Sequence, residues 1–350
     1  MFFPQHNGAL GLDISDYALR IVDLSKKRGK LYLSSFNQIK IPTGDISEGV
    51  IKNPDRVVLL INQLIREAKG NKILKKEVIA VLPETKTFIK LLEIPKVEEE
   101  KIGEEIKKEL KNHLPVSIEE QYLDWQVISA DDEKTYILAG VAPKDIVNSH
   151  LSLLQKADLL PLAFEIEAVA ISRALMENSN GKMIIDIGAA RTGLIIHDRD
   201  VVQLTVSLPI SGEAITREIS DSLNLEYKEA EKAKLVCGLD KTRCKGALRK
   251  ILFDTMDNLI KEIDKAKNYY ENLSEKNKIS EIVLCGGGAY FLKIEKYLSH
   301  RLDMTVSLGN PLKFIEKDNL KQLKFPEDKS LTYTTAIGLA IRGTQKNQLL

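Results

Sequence analysis

The stretch that decides the reading is GLDISDYALRIVDL, residues 11–24, because it nearly recurs as IIDIGAARTGLIIHD, residues 184–198. Each copy runs from an apolar segment through an aspartate, an isoleucine and a small or polar turn into a second apolar segment. Each therefore reads as a tight β-hairpin. A turn of small residues directs successive backbone N–H groups at one point, which makes an anion nest. The aspartate at the strand end, Asp13 or Asp186, suits the waters of a Mg²⁺ ion better than a phosphate. Two such turns face to face would hold a polyphosphate from both sides. The candidate contacts are Ser15, Asp16, Tyr17 and Arg20 on the first hairpin, and Gly188, Ala189, Ala190, Arg191 and Thr192 on the second. One hairpin alone would be read as an ordinary tight turn, since short matches arise by chance. Two in one chain ask for a common explanation.

Composition sets the bounds. A chain of 350 residues suits two lobes rather than one small core. With 51 Lys and Arg against 50 Asp and Glu, the net charge of +1 provides no long-range field for nucleic acid. Three cysteines, Cys237, Cys244 and Cys285, are expected to be unpaired small apolar residues of a reducing compartment. The five histidines are scattered, and His197 reads as structural. No apolar run approaches the roughly 20 residues that cross a bilayer, and the start lacks a cationic signal-peptide region. A cytoplasmic protein is expected, with its greasy Met1, Phe2 and Phe3 packed on the protein or on a partner.

Strands and helices alternate throughout, which argues an α/β fold. Residues 88–165 have a rhythm of their own: strand, helix, two strands, helix, strand. That order predicts a small split βαβ insert. A single long helix is predicted over about 245–273, with Leu248, Leu252, Met256, Leu259 and Ile263 on one stripe.

Further candidates lie outside the hairpins. CGGGAYF, residues 285–291, falls between a strand and a helix; Gly286, Gly287, Gly288 and Ala289 would let a flat ligand approach the backbone beside a helix N-terminus. Glu231 and Lys234 are one helical turn apart, and together could bind ribose hydroxyls and cover an adenine ring. EAVAISRAL and TTAIGLAIR carry small residues on one face, so the two helices could cross closely as a pivot. Glu167, opening the first of them, could orient a water against a terminal phosphate. Taken singly, each has an ordinary explanation as a loop, an ion pair, core packing or a helix cap.

In this order the five elements resemble the signature of the actin-like ATPase superfamily: phosphate-1 at 11–24, connect-1 at 166–176, phosphate-2 at 183–198, adenosine at 282–298 and connect-2 at 332–343. Within it, LPV…YLDWQVI (114–128), ILAGVAPKDIV (137–147), LPISGEAITREI (208–219) and AEKAK (230–234) are similar to the PilM family of type IV pilus assembly, relatives of FtsA. The resemblance implies a duplicated, ribonuclease H-like two-lobe fold. Its first lobe would take residues 1–87 and 166–182, an FtsA/PilM-type subdomain 88–165, the second lobe 183–331, and the connect-2 helix and C-terminus 332–350. It implies ATP or ADP with Mg²⁺ between the lobes, Asp13, Glu167 and Asp186 as the catalytic set with Asp13 and Asp186 at the metal, and Gly212 adding backbone contacts to the phosphates. It further implies a partner, the cytoplasmic tail of a PilN-like bitopic membrane protein, in a groove beside the insert. Other platform or motor proteins and a homo-oligomer are compatible with it. Contact with the membrane would run through partners, because the ending IRGTQKNQLL is too short and polar for the anchor of FtsA.

The chain departs from the family at Ser15 and Asp16, where glycine and serine are usual, and at Arg20, where lysine is usual. A carboxylate in the nest would repel a triphosphate, so slow or absent hydrolysis is expected, and Asp16→Ser should tighten ATP binding. Two other functions share the fold. An FtsA-like filament or division protein would assemble with ATP alone. A small-molecule kinase would need a base beside an acceptor hydroxyl, and only Glu167 offers itself.

Overall fold

In the computed structural model, residues 8–111, 117–177, 181–273 and 278–345 are described. The expectations for residues 1–3, 114–116 and 346–350 fall outside them.

The first hairpin is β1 (Leu10–Ile14) and β2 (Ala18–Lys27), and β3 (Lys30–Lys40) continues it as an antiparallel meander. A small hairpin, β4 (Ile46–Ser47) and β5 (Val50–Ile51), leads into α1 (Pro54–Arg66). Pro54 opens that helix where its missing N–H costs nothing, and Val57, Ile61 and Leu64 are buried from it. After β6 (Lys69–Gly70), the apolar run EVIAVL forms β7 (Glu77–Leu82), parallel to β1. Such continuous burial is what a parallel strand covered on both faces requires.

Next come β8 (Phe88–Pro95), α2 (Glu99–Lys111), β9 (Gln121–Ala130) and β10 (Lys134–Pro143). They build a separate antiparallel sheet in the order β8-β10-β9. Ile102, Ile106 and Leu110 of α2 pack there with Leu92, Ile94 and Ile137. The predicted insert was larger. Its last helix and strand, α3 (Lys144–Lys156) and β11 (Leu160–Ile166), go elsewhere. β11 pairs parallel with β7, and Leu153 and Leu154 of α3 join the core over the first sheet. An apolar strand pairs with whichever buried edge is free, and the order of elements alone does not say which sheet owns that edge.

The second half repeats the plan. α4 (Glu167–Leu175) precedes the meander β12 (Lys182–Ile187), β13 (Thr192–Asp198) and β14 (Val201–Leu208). Helices α5 (Gly212–Leu223), α6 (Tyr227–Val236), α7 (Ala247–Ile251) and α8 (Phe253–Leu273) follow. Then come β15 (Glu281–Cys285), α9 (Ile294–Leu302), β16 (Thr305–Leu308), α10 (Lys317–Gln322) and α11 (Thr334–Gly343). The second sheet is ordered β14-β13-β12-β15-β16, and within the first sheet β3-β2-β1-β7-β11 has the same order and the same strand directions.

Two local expectations are corrected. The long helix breaks at Leu252, and its start is a turn in which Cys244 and Lys245 are left-handed (φ 48° and 53°). That turn brings Cys244 to Cys237, with Cα atoms 5.7 Å apart, and the two are disulfide-bonded; Cys285 is free and buried. Seven residues of separation conceal a closure that the left-handed turn makes.

The two small-faced helices do cross. α11 packs against both α4 and β1, and a Cβ added at Gly338 would stand 1.9 Å from the Ala170 carbonyl oxygen. At Gly11 it would stand 2.2 Å from the Ala336 oxygen. Backbone cannot yield as a flexible side chain can. Gly338→Ala is therefore expected to destabilise the fold by at least the ~1–3 kcal/mol typical of overpacking, and a denaturant melt with an unchanged m-value will read it. Unaltered stability would mean that the helices are free to separate.

Candidate functional site

The cleft between the two sheets holds two adjoining cavities of 470 and 450 Å³, and Tyr17, Gly188 and Ala189 line both. The hairpin turns thus meet where the cavities meet. In the first turn Ser15 Oγ donates to the Ala18 oxygen (2.9 Å) and the Ser15 N–H donates to the same oxygen (3.1 Å). In the second, the Gly188 N–H closes onto the Arg191 oxygen (2.8 Å). Both turns are made rigid by their own polar groups.

One cavity is largely apolar, with Ile215, Met256, Leu259, Phe291 and Ile294 in its lining beside Gly287, Gly288, Glu231 and Lys234. Lys234 is buried because it ties α6 to α5: its ammonium donates to the Gly212 oxygen (3.0 Å) and Thr216 Oγ1 (2.8 Å), and it pairs with Glu231 (2.7 Å). Glu231, half exposed, keeps an edge toward the cavity. The glycine triplet divides its work. Gly286, at φ 77°, lets the chain pass Asp186 Oδ1, where a Cβ would stand 2.2 Å away. Gly287 and Gly288 face the cavity, and Ala289 is buried behind them. No long helix begins at the triplet: residues Gly287–Tyr290 are a single 3₁₀ turn, and α9 starts at Ile294.

Gly212 also differs from expectation. Its N–H donates to the Gly188 oxygen (2.9 Å), and the Glu213 N–H donates to the Ala189 oxygen (3.1 Å). Gly212 and Glu213 do line the apolar cavity, but the start of α5 spends those two amides on bracing the second turn instead of offering them to a ligand.

The other cavity is acidic. Glu84, Glu167 and Asp186 line it together with Arg191. Arg191 Nη2 stands 2.7 Å from Glu84 and 2.5 Å from Glu167, and Nη1 donates to Ser207 Oγ at 3.2 Å. Burial raises the pKa of Glu84 against the pull of Arg191. Burial likewise raises that of Asp186, with the Glu167 carboxylate adding to it and Arg191 opposing.

Asp13 stands behind this group. It is 3% exposed, lines neither cavity, and is bound by Arg20 Nη1 at 2.8 Å. Burial still pushes its pKa up to about 6 against the pull of Arg20, and the Glu167 carboxylate is near enough to add to the rise. Asp16 is also occupied: its two carboxylate oxygens accept the Glu48 and Gly49 N–H groups, both at 2.9 Å. Those two amides fix the carboxylate in place but leave its negative charge beside the polar cavity that it lines, so the expectation that Asp16→Ser tightens ATP binding stands as a prediction. Thr192 is fully buried in β13 and reaches neither cavity.

Residues 11–344 match the family described as Type IV pilus assembly protein PilM. The chain belongs to that family. Among solved structures it is similar to a PilM-PilN type IV pilus biogenesis complex, at 22% identity and TM-score 0.83, covering 97% of this chain and 100% of that one. It is more distantly similar to the ethanolamine utilization protein EutJ of Carboxydothermus hydrogenoformans (13% identity, TM-score 0.58, 97% and 90% covered). MreB5 of Spiroplasma citri bound to AMPPNP is comparable (14% identity, TM-score 0.56, 97% and 96% covered). The fold is that of the actin-like ATPases.

Against the PilM family's implied set, the structure brings together Tyr17, Gly188, Ala189, Ala190, Arg191, Glu167, Asp186, Glu231, Lys234, Gly287 and Gly288 around the two cavities, with Ser15, Asp16 and Arg20 at their edges. Glu84 was missed. Its one signal is its place, two residues after the buried strand β7 ends and at the same end of the sheet as the hairpin turn.

Arg191 is the only cation contacting this acid group among the described residues. Arg191→Ala would leave two carboxylates facing each other in partial burial, and a loss of about 3–5 kcal/mol is expected. Glu84→Gln in that background should restore part of it. Chemical melts of the single and double variants test the coupling, and strict additivity would show that the contact carries no energy.

Proposed function

We propose that this PilM-family chain is a nucleotide-binding scaffold of type IV pilus assembly, working at the cytoplasmic face of the membrane and holding the cytoplasmic tail of a PilN-like membrane protein. The observation that carries the nucleotide reading is the meeting of the two hairpin turns between an apolar cavity and a polar one. The apolar cavity fits a purine, with Glu231 placed for ribose. The exposed turn Ala189–Ala190 fits phosphates, because backbone N–H groups there need no side chain to approach an anion. An AMPPNP-bound relative of the same fold supports the choice of ATP or ADP.

Mg²⁺ carried in with a nucleotide needs only one or two carboxylates beside the phosphates. Asp186 lines the polar cavity, and Asp13, whose Oδ2 is taken by Arg20, keeps its buried Oδ1 without a hydrogen-bond partner, so these two would hold the ion's waters. Glu167, clamped by Arg191 at 2.5 Å, is poorly placed to accept a proton from water, which supports slow or absent hydrolysis.

The partner reading draws on the family and on the similarity to a PilM-PilN complex. It is also supported by β9, the outer strand of the small sheet, which leaves Tyr122, Trp125 and Val127 between 40% and 47% exposed. An extended tail can use such an edge through main-chain hydrogen bonds and side-chain pockets. No helix among the described residues is long and apolar enough to cross a membrane.

Calorimetry of the full chain with ATP, with and without a peptide from a PilN-like tail, tests both halves. Both ligands are expected to bind. Ala189→Asp, which adds a carboxylate to an exposed turn, should weaken ATP by tenfold or more, about 1.4 kcal/mol, while peptide affinity holds. An unchanged ATP affinity in that variant would sink the phosphate assignment, and no heat with the peptide would sink the partner.

A further inference from the structure

The loop between α6 and α7 concentrates charge that the rest of the chain balances. Residues 241–250 include Lys241, Arg243, Lys245, Arg249 and Lys250 and no acid, in a protein whose net charge is +1. Among the described residues none of the five forms an ion pair with a carboxylate, although Arg249 lies over the Tyr297 ring at 5.1 Å. The nearby acids are Asp240, whose carboxylate accepts the Thr242 N–H and hydroxyl, Asp254, and Asp257, which Lys261 and Arg301 pair. Lys241, Lys245, Arg249 and Lys250 share a shallow cavity of 570 Å³ with Phe253 and Asp254.

The local fold holds these groups together. The Cys237–Cys244 bond closes the loop, Arg243 Nη1 donates to the Val236 oxygen at 3.0 Å, and Gly246 returns the chain against Lys241. Two apolar side chains stand partly open in the same neighbourhood: Phe253 is 53% exposed, with the Arg301 guanidinium 5.9 Å from its ring, and Val236 is 47% exposed. Lysines on a surface that lacked such neighbours would be a solvated face. Cations placed around an exposed aromatic ring instead match a lipid interface, where headgroup phosphates meet the lysines and the ring sits at the acyl boundary.

We propose that this face of the α6–α7 loop docks on an anionic lipid bilayer, Lys241, Lys245 and Lys250 meeting headgroup phosphates and Phe253 entering the interface. The contact is peripheral and no helix inserts. It stands apart from the nucleotide cleft and from the small sheet, so it does not depend on either assignment.

The test is vesicle flotation of the full chain. Vesicles of phosphatidylglycerol and phosphatidylcholine in equal parts are compared with phosphatidylcholine alone, each at about 0.1 and about 0.5 M NaCl. Binding is expected only to the anionic vesicles and should fall steeply with salt. Each lysine near such a surface contributes about fivefold, so Lys241→Glu with Lys245→Glu should weaken binding by more than tenfold. Phe253→Ser should weaken it severalfold while leaving the salt dependence in place. Thermal melts of these exposed variants confirm that they fold. Equal binding to neutral vesicles, or binding indifferent to the lysine pair, overturns the proposal. So does failure to bind anionic vesicles, including a case in which the patch retains an acidic peptide or a nucleic acid instead.

Discussion

Arg191 stands on the turn of one hairpin and holds carboxylates from two other elements, Glu84 beyond β7 and Glu167 at the head of α4. Without it the cleft would set Glu84, Glu167 and Asp186 against one another in a partly dry space, where like charges repel far more than in water. Buried ion pairs seldom add much net stability, because desolvation consumes most of the attraction. What this one supplies is placement. It joins the second sheet's hairpin to the first sheet's strand ends, and so sets the width of the cleft in which both turns face each other.

The duplication behind that arrangement was legible because it repeats in local pattern: apolar segment, aspartate, tight turn, apolar segment. Periodicity records which face of a strand is buried, and both hairpins, their meanders and the parallel strands followed from it. Which sheet a strand joins is a non-local choice that periodicity does not record. Hence β11, expected in the insert, pairs with β7 instead. The same limit applies to the site. Asp13 and Asp186 occupy equivalent places in the repeat, yet only Asp186 lines the cleft, because Arg20 lies directly across the hairpin from Asp13 and binds it. On the second hairpin Gly193 lies opposite Asp186, with no side chain to compete.

Asp16 keeps its negative charge at the nest, but two backbone amides of the β4–β5 turn decide where that charge is held. Gly212 shows the converse. An amide at a helix start looks available to a phosphate, yet its N–H is spent on the Gly188 oxygen. In both cases the hydrogen-bond account of the backbone, which must be closed wherever it is buried, decides the role of the residue more firmly than its type.

The small sheet, the proposed seat of the tail, is joined to these local facts. β8 begins four residues after Glu84 and packs against β14 of the second sheet, whose end carries Ser207, a hydrogen-bond partner of Arg191. A tail held on the small sheet and a nucleotide held in the cleft would therefore bear on one connected set of contacts. Coupling between two sites is reciprocal: whatever the nucleotide does to the tail's affinity, the tail does to the nucleotide's. Were the two sites coupled through those contacts, that reciprocity would be enough for a nucleotide to bias which tails stay attached, with no turnover needed.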